Sequence, residues 1–196
     1  GSRYCLEVAG KRVMVDCGMF QERQFQGRNW DACPISPSSV QAMLLTHVHV
    51  DHCGLIPKLV KEGFAAPIYA TEPSVGLVEI MLRDAAEIQE EDIGYKKKRH
   101  QREGRKSPYP YEPLYTVGHV EQTVPLFRAV KYGQPVQVTP EIKATYFDAG
   151  HILGSAMIQI DAVENSKRSR IVFSGDIGQN DKPIIRDPSS LADADY

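Results

Sequence analysis

The 196-residue sequence predicts a mixed α/β fold, on three observations. Short runs rich in β-branched and aromatic residues, bounded by Gly, Pro, Asp or Ser, crowd both ends of the chain. A long stretch with helical spacing of its apolar residues fills the middle. Strands and helices do not alternate regularly, and neither G-x-G-x-x-G nor G-x-x-x-x-G-K-[ST] occurs, which argues against a doubly wound nucleotide-binding plan.

Residues 4–8 and 12–16 read as two strands joined by a turn at Ala9-Gly10. Residues 42–46 and 68–70 follow as strands. Between them, 55–61 reads as a short helix, with Pro57 tolerated in its first turn and Gly63 just past its end. A longer helix starts near Pro73 with Thr71 as its N-cap, and Val75, Val78, Leu82 and Ala85 form one apolar stripe. Its acids Glu87, Glu90, Glu91 and Asp92 precede a basic run. Three prolines make 107–113 a stiff connection, and 120–132 is expected as a helix closed by Gly133. The remaining strands are 136–138, 142–148, 156–161 and 170–174.

The length suits one domain with a sizeable core, and 42% apolar with 24% charged residues is ordinary for a soluble globular protein. A net charge of −2 leaves an anionic partner open, because a local patch can hide in a neutral total. No run approaches the roughly 18 apolar residues of a membrane span, and the start carries no signal-peptide pattern. Cys5, Cys17, Cys33 and Cys53 show no C-x-x-C spacing. They are expected as free thiols, with Cys53 a small apolar filler, which places the chain in the cytoplasm with no membrane partner.

Half of the six histidines stand in "THVHVDH". In an extended loop, alternate side chains point the same way, so His47 and His49 can reach one ion while Asp51 and His52 turn toward a second. Imidazole and carboxylate are ligands that zinc accepts. His151 in "FDAGHILGS" and Asp176 in "IVFSGDIG" also follow strands, and Asp176 has two oxygens with which to bridge two ions. Asp16 in "VMVDCG" ends a strand as well and is expected to brace a ligand loop by hydrogen bonds rather than bind metal. His100 and His119 lack partners in the sequence and read as surface residues.

The segment His47-Val48-His49-Val50-Asp51-His52 resembles the H-x-H-x-D-H signature of the metallo-β-lactamase superfamily, and Asp16, His151 and Asp176 follow in that superfamily's order. "DAGHILGSA" and "FSGDIG" resemble its β-CASP branch, which includes RNase J and the cleavage-and-polyadenylation endonuclease. The resemblance implies a four-layer αββα sandwich with two zinc ions at one edge. Residues 1–196 would be the N-terminal part of that domain. The family's first strand would precede Gly1; an acidic motif, an inserted nucleic-acid-clamping domain and two further histidines would follow Tyr196. Carried over, His47, His49 and His151 bind one zinc, Asp51 and His52 the other, and Asp176 bridges them. Asp51, His52 and Asp176 are the candidate catalytic residues.

The resemblance implies a zinc-dependent nuclease: a bound zinc pair would supply an activated water at a pKa of about 7 for cleavage of a phosphodiester of RNA, or of single-stranded DNA. Two other readings remain: a thioester or lactone hydrolase of the glyoxalase II type, and a fragment that binds RNA or a partner without cleaving. In residues 96–106, seven of eleven are Lys or Arg, and Lys96, Lys97, Lys98 and Arg99 are the candidate phosphate contacts. A solvated helix end favoured by the helix dipole is the preferred account, since acids precede the run and no aromatic side chains interleave it. A half-fold exposing a surface meant for its other half could form a homodimer.

Overall fold

The computed structural model describes residues 1–191 and 193–196. Five strands form a first sheet: β1 (Tyr4–Val8), β2 (Lys11–Val15), β3 (Val40–Leu44), β4 (Ile68–Thr71) and β5 (Phe127–Val130), in that spatial order. β1 and β2 make an antiparallel hairpin, and β2 to β5 run parallel. The second sheet, β6 (Val136–Thr139), β7 (Ile142–Asp148), β8 (Ala156–Glu164) and β9 (Lys167–Phe173), is antiparallel throughout. Four helices connect these strands: α1 (Val50–Cys53), α2 (Ile56–Lys61), α3 (Glu72–Glu103) and α4 (Val117–Thr123).

Side-chain periodicity explains the layering. Ile142, Ala144 and Tyr146 on β7, and Ala156, Ile158, Ile160 and Ala162 on β8, lie two residues apart and point one way. They pack on Val13, Val15, Ala42 and Leu44 of the first sheet. The opposite face of that sheet, with Met14, Met43 and Ile68, is covered by Ile56, Leu59, Val78, Leu82 and Val120 from the helices. Burial on both faces is why β2 and β3 each end in a short apolar run, Val13–Val15 and Ala42–Leu44, instead of alternating. The described residues supply three of the four expected layers: helices, mixed sheet, antiparallel sheet. No described helix is long and apolar enough to cross a membrane.

Several local expectations are corrected. The helix expected over 120–132 is instead α4, a 3-10 turn at Val124–Leu126 and the unforeseen strand β5. Pro125 lacks the N–H that a continuing helix needs, and the four residues from Phe127 pair with β4. The α3 stripe is Ser74, Val78, Leu82 and Ala86, with Val75 and Ala85 at its margins. Thr71 stands at the N-cap, but its hydroxyl bonds the Gly154 carbonyl at 2.6 Å rather than the helix backbone. His100 and His119 do have partners: His100 Nδ1 lies 2.8 Å from the Tyr111 hydroxyl, and His119 closes a capping box with Thr116. All four cysteines are free.

Candidate metal centre

Strand direction collects the polar residues on one rim. β2 and β3 are parallel and in register at Val15 and Leu44, so Asp16 and the segment from Thr46 leave together. β7 and β9 are both antiparallel to β8, so they end alongside its first residues and deliver the His151 loop and Asp176 to that rim. The second strand stops at Val15, one residue earlier than expected. Asp16 adopts a left-handed backbone, φ 58°, which turns its carboxylate back toward β3.

The chain stays extended to His49 and then makes the single turn of α1. Asp51 and His52 are therefore placed by a helical turn, not by the extended loop that the sequence suggested. Gly18 makes this turn possible by close approach: a Cβ there would fall inside the Asp51 carbonyl group. The Cys17 N–H bonds the His52 carbonyl at 2.8 Å, and the Met19 N–H bonds that of Val50 at 2.9 Å.

All six expected ligand residues converge. His49 Nδ1 lies 3.1 Å from His47 Nε2 and 3.2 Å from His151 Nε2. Asp176 Oδ2 is 3.9 Å from His47 Nε2 and 3.6 Å from His151 Nε2. Its other oxygen, Oδ1, is 3.4 Å from His52 Nε2, which is 3.7 Å from Asp51 Oδ2. Ligands at 2.0–2.2 Å in a tetrahedron sit about 3.3–3.6 Å apart, and the ligand atoms of the three imidazoles and the carboxylate all lie within 4.8 Å of one another, a group that could hold a metal ion. The two oxygens of Asp176 face two half-sites.

The surroundings act differently on these rings. Burial, aided by His52, His49 and His151, pushes His47 down to about 2, so its ring is neutral. Burial likewise holds His49 below its ordinary value. For His52, burial disfavours the cation, but the 2.7 Å hydrogen bond to Asp16 Oδ2 outweighs it and the pKa rises. That bond takes up Nδ1 and leaves Nε2 facing Asp51 and Asp176. The other Asp16 oxygen, Oδ1, accepts the Thr46 N–H at 2.8 Å. Burial also pushes the Cys53 thiol well above its ordinary value, consistent with a filler whose Sγ touches the Val48 carbonyl at 3.2 Å.

Hydroxyls around the rim were not foreseen. Thr46 Oγ1 lies 2.9 Å from Asp16 Oδ2, and Ser155 Oγ accepts the His151 and Ile152 N–H groups at 3.1 and 3.2 Å. Thr71 and Ser74 hold the Gly154 carbonyl of the same loop. The available signal was a hydroxyl residue next to each ligand motif, in "THVH" and "GHILGS".

The basic run lies elsewhere, on the outer end of α3. Lys96 pairs with Asp92 and Arg99 with Glu103, each one helical turn away. Lys97 and Lys98 are exposed. Lys96 lines a cleft of about 540 Å³ together with Trp30, Tyr109 and Tyr111, so aromatic rings approach the run in space although none interleaves it in sequence. Asp84, Asp92 and Glu112 line that cleft too.

A metallo-β-lactamase superfamily domain model matches residues 5–190. Ribonuclease TTHA0252 of Thermus thermophilus is 34% identical over 189 residues, which is 96% of this chain and 38% of that protein. Transcription termination factor FttA of Methanocaldococcus jannaschii is 32% identical, over 89% of this chain and 25% of its own. Integrator complex subunit 11 of Gallus gallus is 30% identical, over 89% and 27%. The chain thus spans well under half the length of these relatives. Among solved structures, a metallo-β-lactamase of Cronobacter sakazakii matches with a TM-score of 0.54 at 14% identity, covering 93% of this chain and 55% of its own, which supports the fold alone. The chain belongs to the metallo-β-lactamase superfamily.

Proposed function

We propose that this chain is the N-terminal part of a β-CASP-type metallohydrolase domain that cleaves phosphodiester bonds of RNA with the help of two zinc ions. The observation that carries the proposal is the convergence of His47, His49 and His151 on Asp176, whose second oxygen lies 3.4 Å from His52 Nε2, itself 3.7 Å from Asp51 Oδ2. One of the relatives is a ribonuclease, which supports RNA as the substrate class.

In this reading His47, His49, His151 and Asp176 hold the first ion, and Asp51, His52 and Asp176 contribute to the second. Zinc there supplies an activated water at neutral pH and a charge that offsets the anionic phosphoryl oxygens. The protein's part is positioning. Asp16 orients His52, the buried neutral ring of His47 offers a lone pair, and the turn of α1 aims Asp51 and His52 at the mouth. Asp51 and Asp176 are half-exposed there, open to a substrate. The phosphate contacts proposed for Lys96, Lys97, Lys98 and Arg99 are secondary, because Lys96 and Arg99 already have carboxylate partners and acids line the adjoining cleft. Cytoplasmic residence and homodimerisation belong to the same proposal, the second read by sedimentation velocity.

Elemental analysis of the purified chain and RNA cleavage by the complete protein test it. Zinc is expected to co-purify, and both His47→Ala and His151→Ala should lose at least about 100-fold in zinc affinity. Cleavage that survives His47→Ala in the complete protein, or a chain that takes up no zinc, overturns the proposal.

A further inference from the structure

Thr46 touches every arm of the rim. It is 1% exposed and stands between β3 and His47. Its N–H donates to Asp16 Oδ1 at 2.8 Å. Its carbonyl accepts the Ala156 N–H at 2.9 Å, tying β3 to the strand that leaves the His151 loop. On the Asp176 arm, Gly175 packs directly on it: a methyl there would lie 2.9 Å from Thr46 Cβ and 3.1 Å from Oγ1. Gly175 also has φ 53°, so the chain passes over Thr46 in a conformation that suits glycine.

The hydroxyl is where proton counting becomes informative. Oγ1 lies 3.1 and 2.9 Å from the two oxygens of Asp16, 3.1 Å from His47 Nδ1 and 3.3 Å from His52 Nδ1. A hydroxyl has one proton to donate and lone pairs to accept with. The Thr46 hydroxyl donates to the Asp16 carboxyl group, so its one proton is used there. His52 Nδ1 has its own, shorter bond to Asp16 Oδ2 at 2.7 Å. The lone pair of Oγ1 then faces His47 Nδ1, which must carry its proton to satisfy it. That fixes the tautomer of a fully buried ring and leaves His47 Nε2 bare, facing His49 and Asp176.

From this geometry, and resting on the zinc-binding reading above, we infer that Thr46 is the positioning residue of the centre. Through one hydroxyl it sets His47 in the ligating tautomer and couples it to the Asp16–His52 brace, so that both half-sites share one hydrogen-bond anchor. Removing the hydroxyl leaves a buried Nδ1–H without an acceptor and lets the His47 proton move to Nε2, where it blocks ligation.

Two substitutions separate the hydroxyl from the packing. Thr46→Val keeps the shape against Gly175 and removes the hydroxyl, whereas Thr46→Ser keeps the hydroxyl and removes the methyl. Zinc dissociation constants are read by competition with a chromophoric chelator, alongside melting of the metal-free proteins. Thr46→Val should weaken zinc binding by about 10–100-fold while Thr46→Ser stays within about threefold of wild type. A folded Thr46→Val that binds zinc as tightly as wild type overturns the inference, and so does a Thr46→Ser that loses as much as the valine variant. If the valine variant does not fold, nitrogen-15 NMR of the wild-type rings decides: protonation of His47 at Nδ1 is required, and at Nε2 overturns it. A wild-type chain that binds no zinc sinks the functional proposal instead, and the ring protonation still tests Thr46.

Discussion

The rim that carries His47 and the outer half of α3 that carries Lys96 are both dense in polar side chains, but they are partnered differently. On the rim the bonds are long-range: Asp16 reaches His52 across 36 residues, and His49 meets His151 across 102. On α3 the ion pairs are local, Lys96 to Asp92 and Arg99 to Glu103, each four residues apart and open to solvent. Exposed i,i+4 pairs contribute about 0.3–0.5 kcal/mol each, whereas breaking a buried pair costs about 3–5 kcal/mol because a charge is left without compensation. Crowding of polar residues therefore marks a site when distant strands supply the partners. Crowding satisfied within one helix is a solvated face.

The sharpest way to break this contrast is Asp16→Ala. It orphans His52 Nδ1 and the Thr46 N–H and should cost about 3–5 kcal/mol in urea unfolding. A loss no larger than that of a surface substitution would erase the distinction between the regions. Gly18→Ala comes next: a Cβ there collides with the Asp51 backbone, and the forced shift should cost about 1–3 kcal/mol and misplace Asp51 and His52.

An intermediate case is Asp161 with Arg170 on the outer face of the second sheet, 2.7 Å apart and about 40% exposed. Partial burial alone would raise the Asp161 carboxyl, but hydrogen bonds from Arg170 and Gln159 outweigh it and hold the pKa below the usual value. A lowered folded pKa means stability that is present above 3.8 and is lost as pH falls through the folded value. Wild type should thus exceed Asp161→Asn in melting temperature at neutral pH, with the gap closing in acid; a gap that widens there contradicts the assignment. The smallest effect is expected from reversing Lys96, Lys97 and Lys98 to Glu together. Stability should move by about 0.5 kcal/mol or less, checked by the same unfolding assay.

These differences also explain what the sequence made legible. The six candidate ligand residues were readable because they come after strands and belong to chemically uncommon clusters. β7 and β8 were readable because each is a β-rich run bounded by turn-forming residues. β5 was not: its buried residues, Phe127 and Val130, are three apart, which mimics a helix, and only pairing with β4 declares it a strand. Thr46 escaped for a related reason. A threonine ending a β-rich run is unremarkable until Asp16, Ala156 and Gly175 arrive from elsewhere in the chain. Local propensity reaches the elements, while the hydrogen-bond anchor depends on contacts made between them.

That His49 and His151 come from different sheets has a mechanical consequence. An ion held by both would act as a removable staple between the two layers, closing a loop of about a hundred residues, a span at which a cross-link restricts the unfolded chain strongly. Its presence would register mainly in how slowly the sheets part, with little change in how much strand or helix the chain contains.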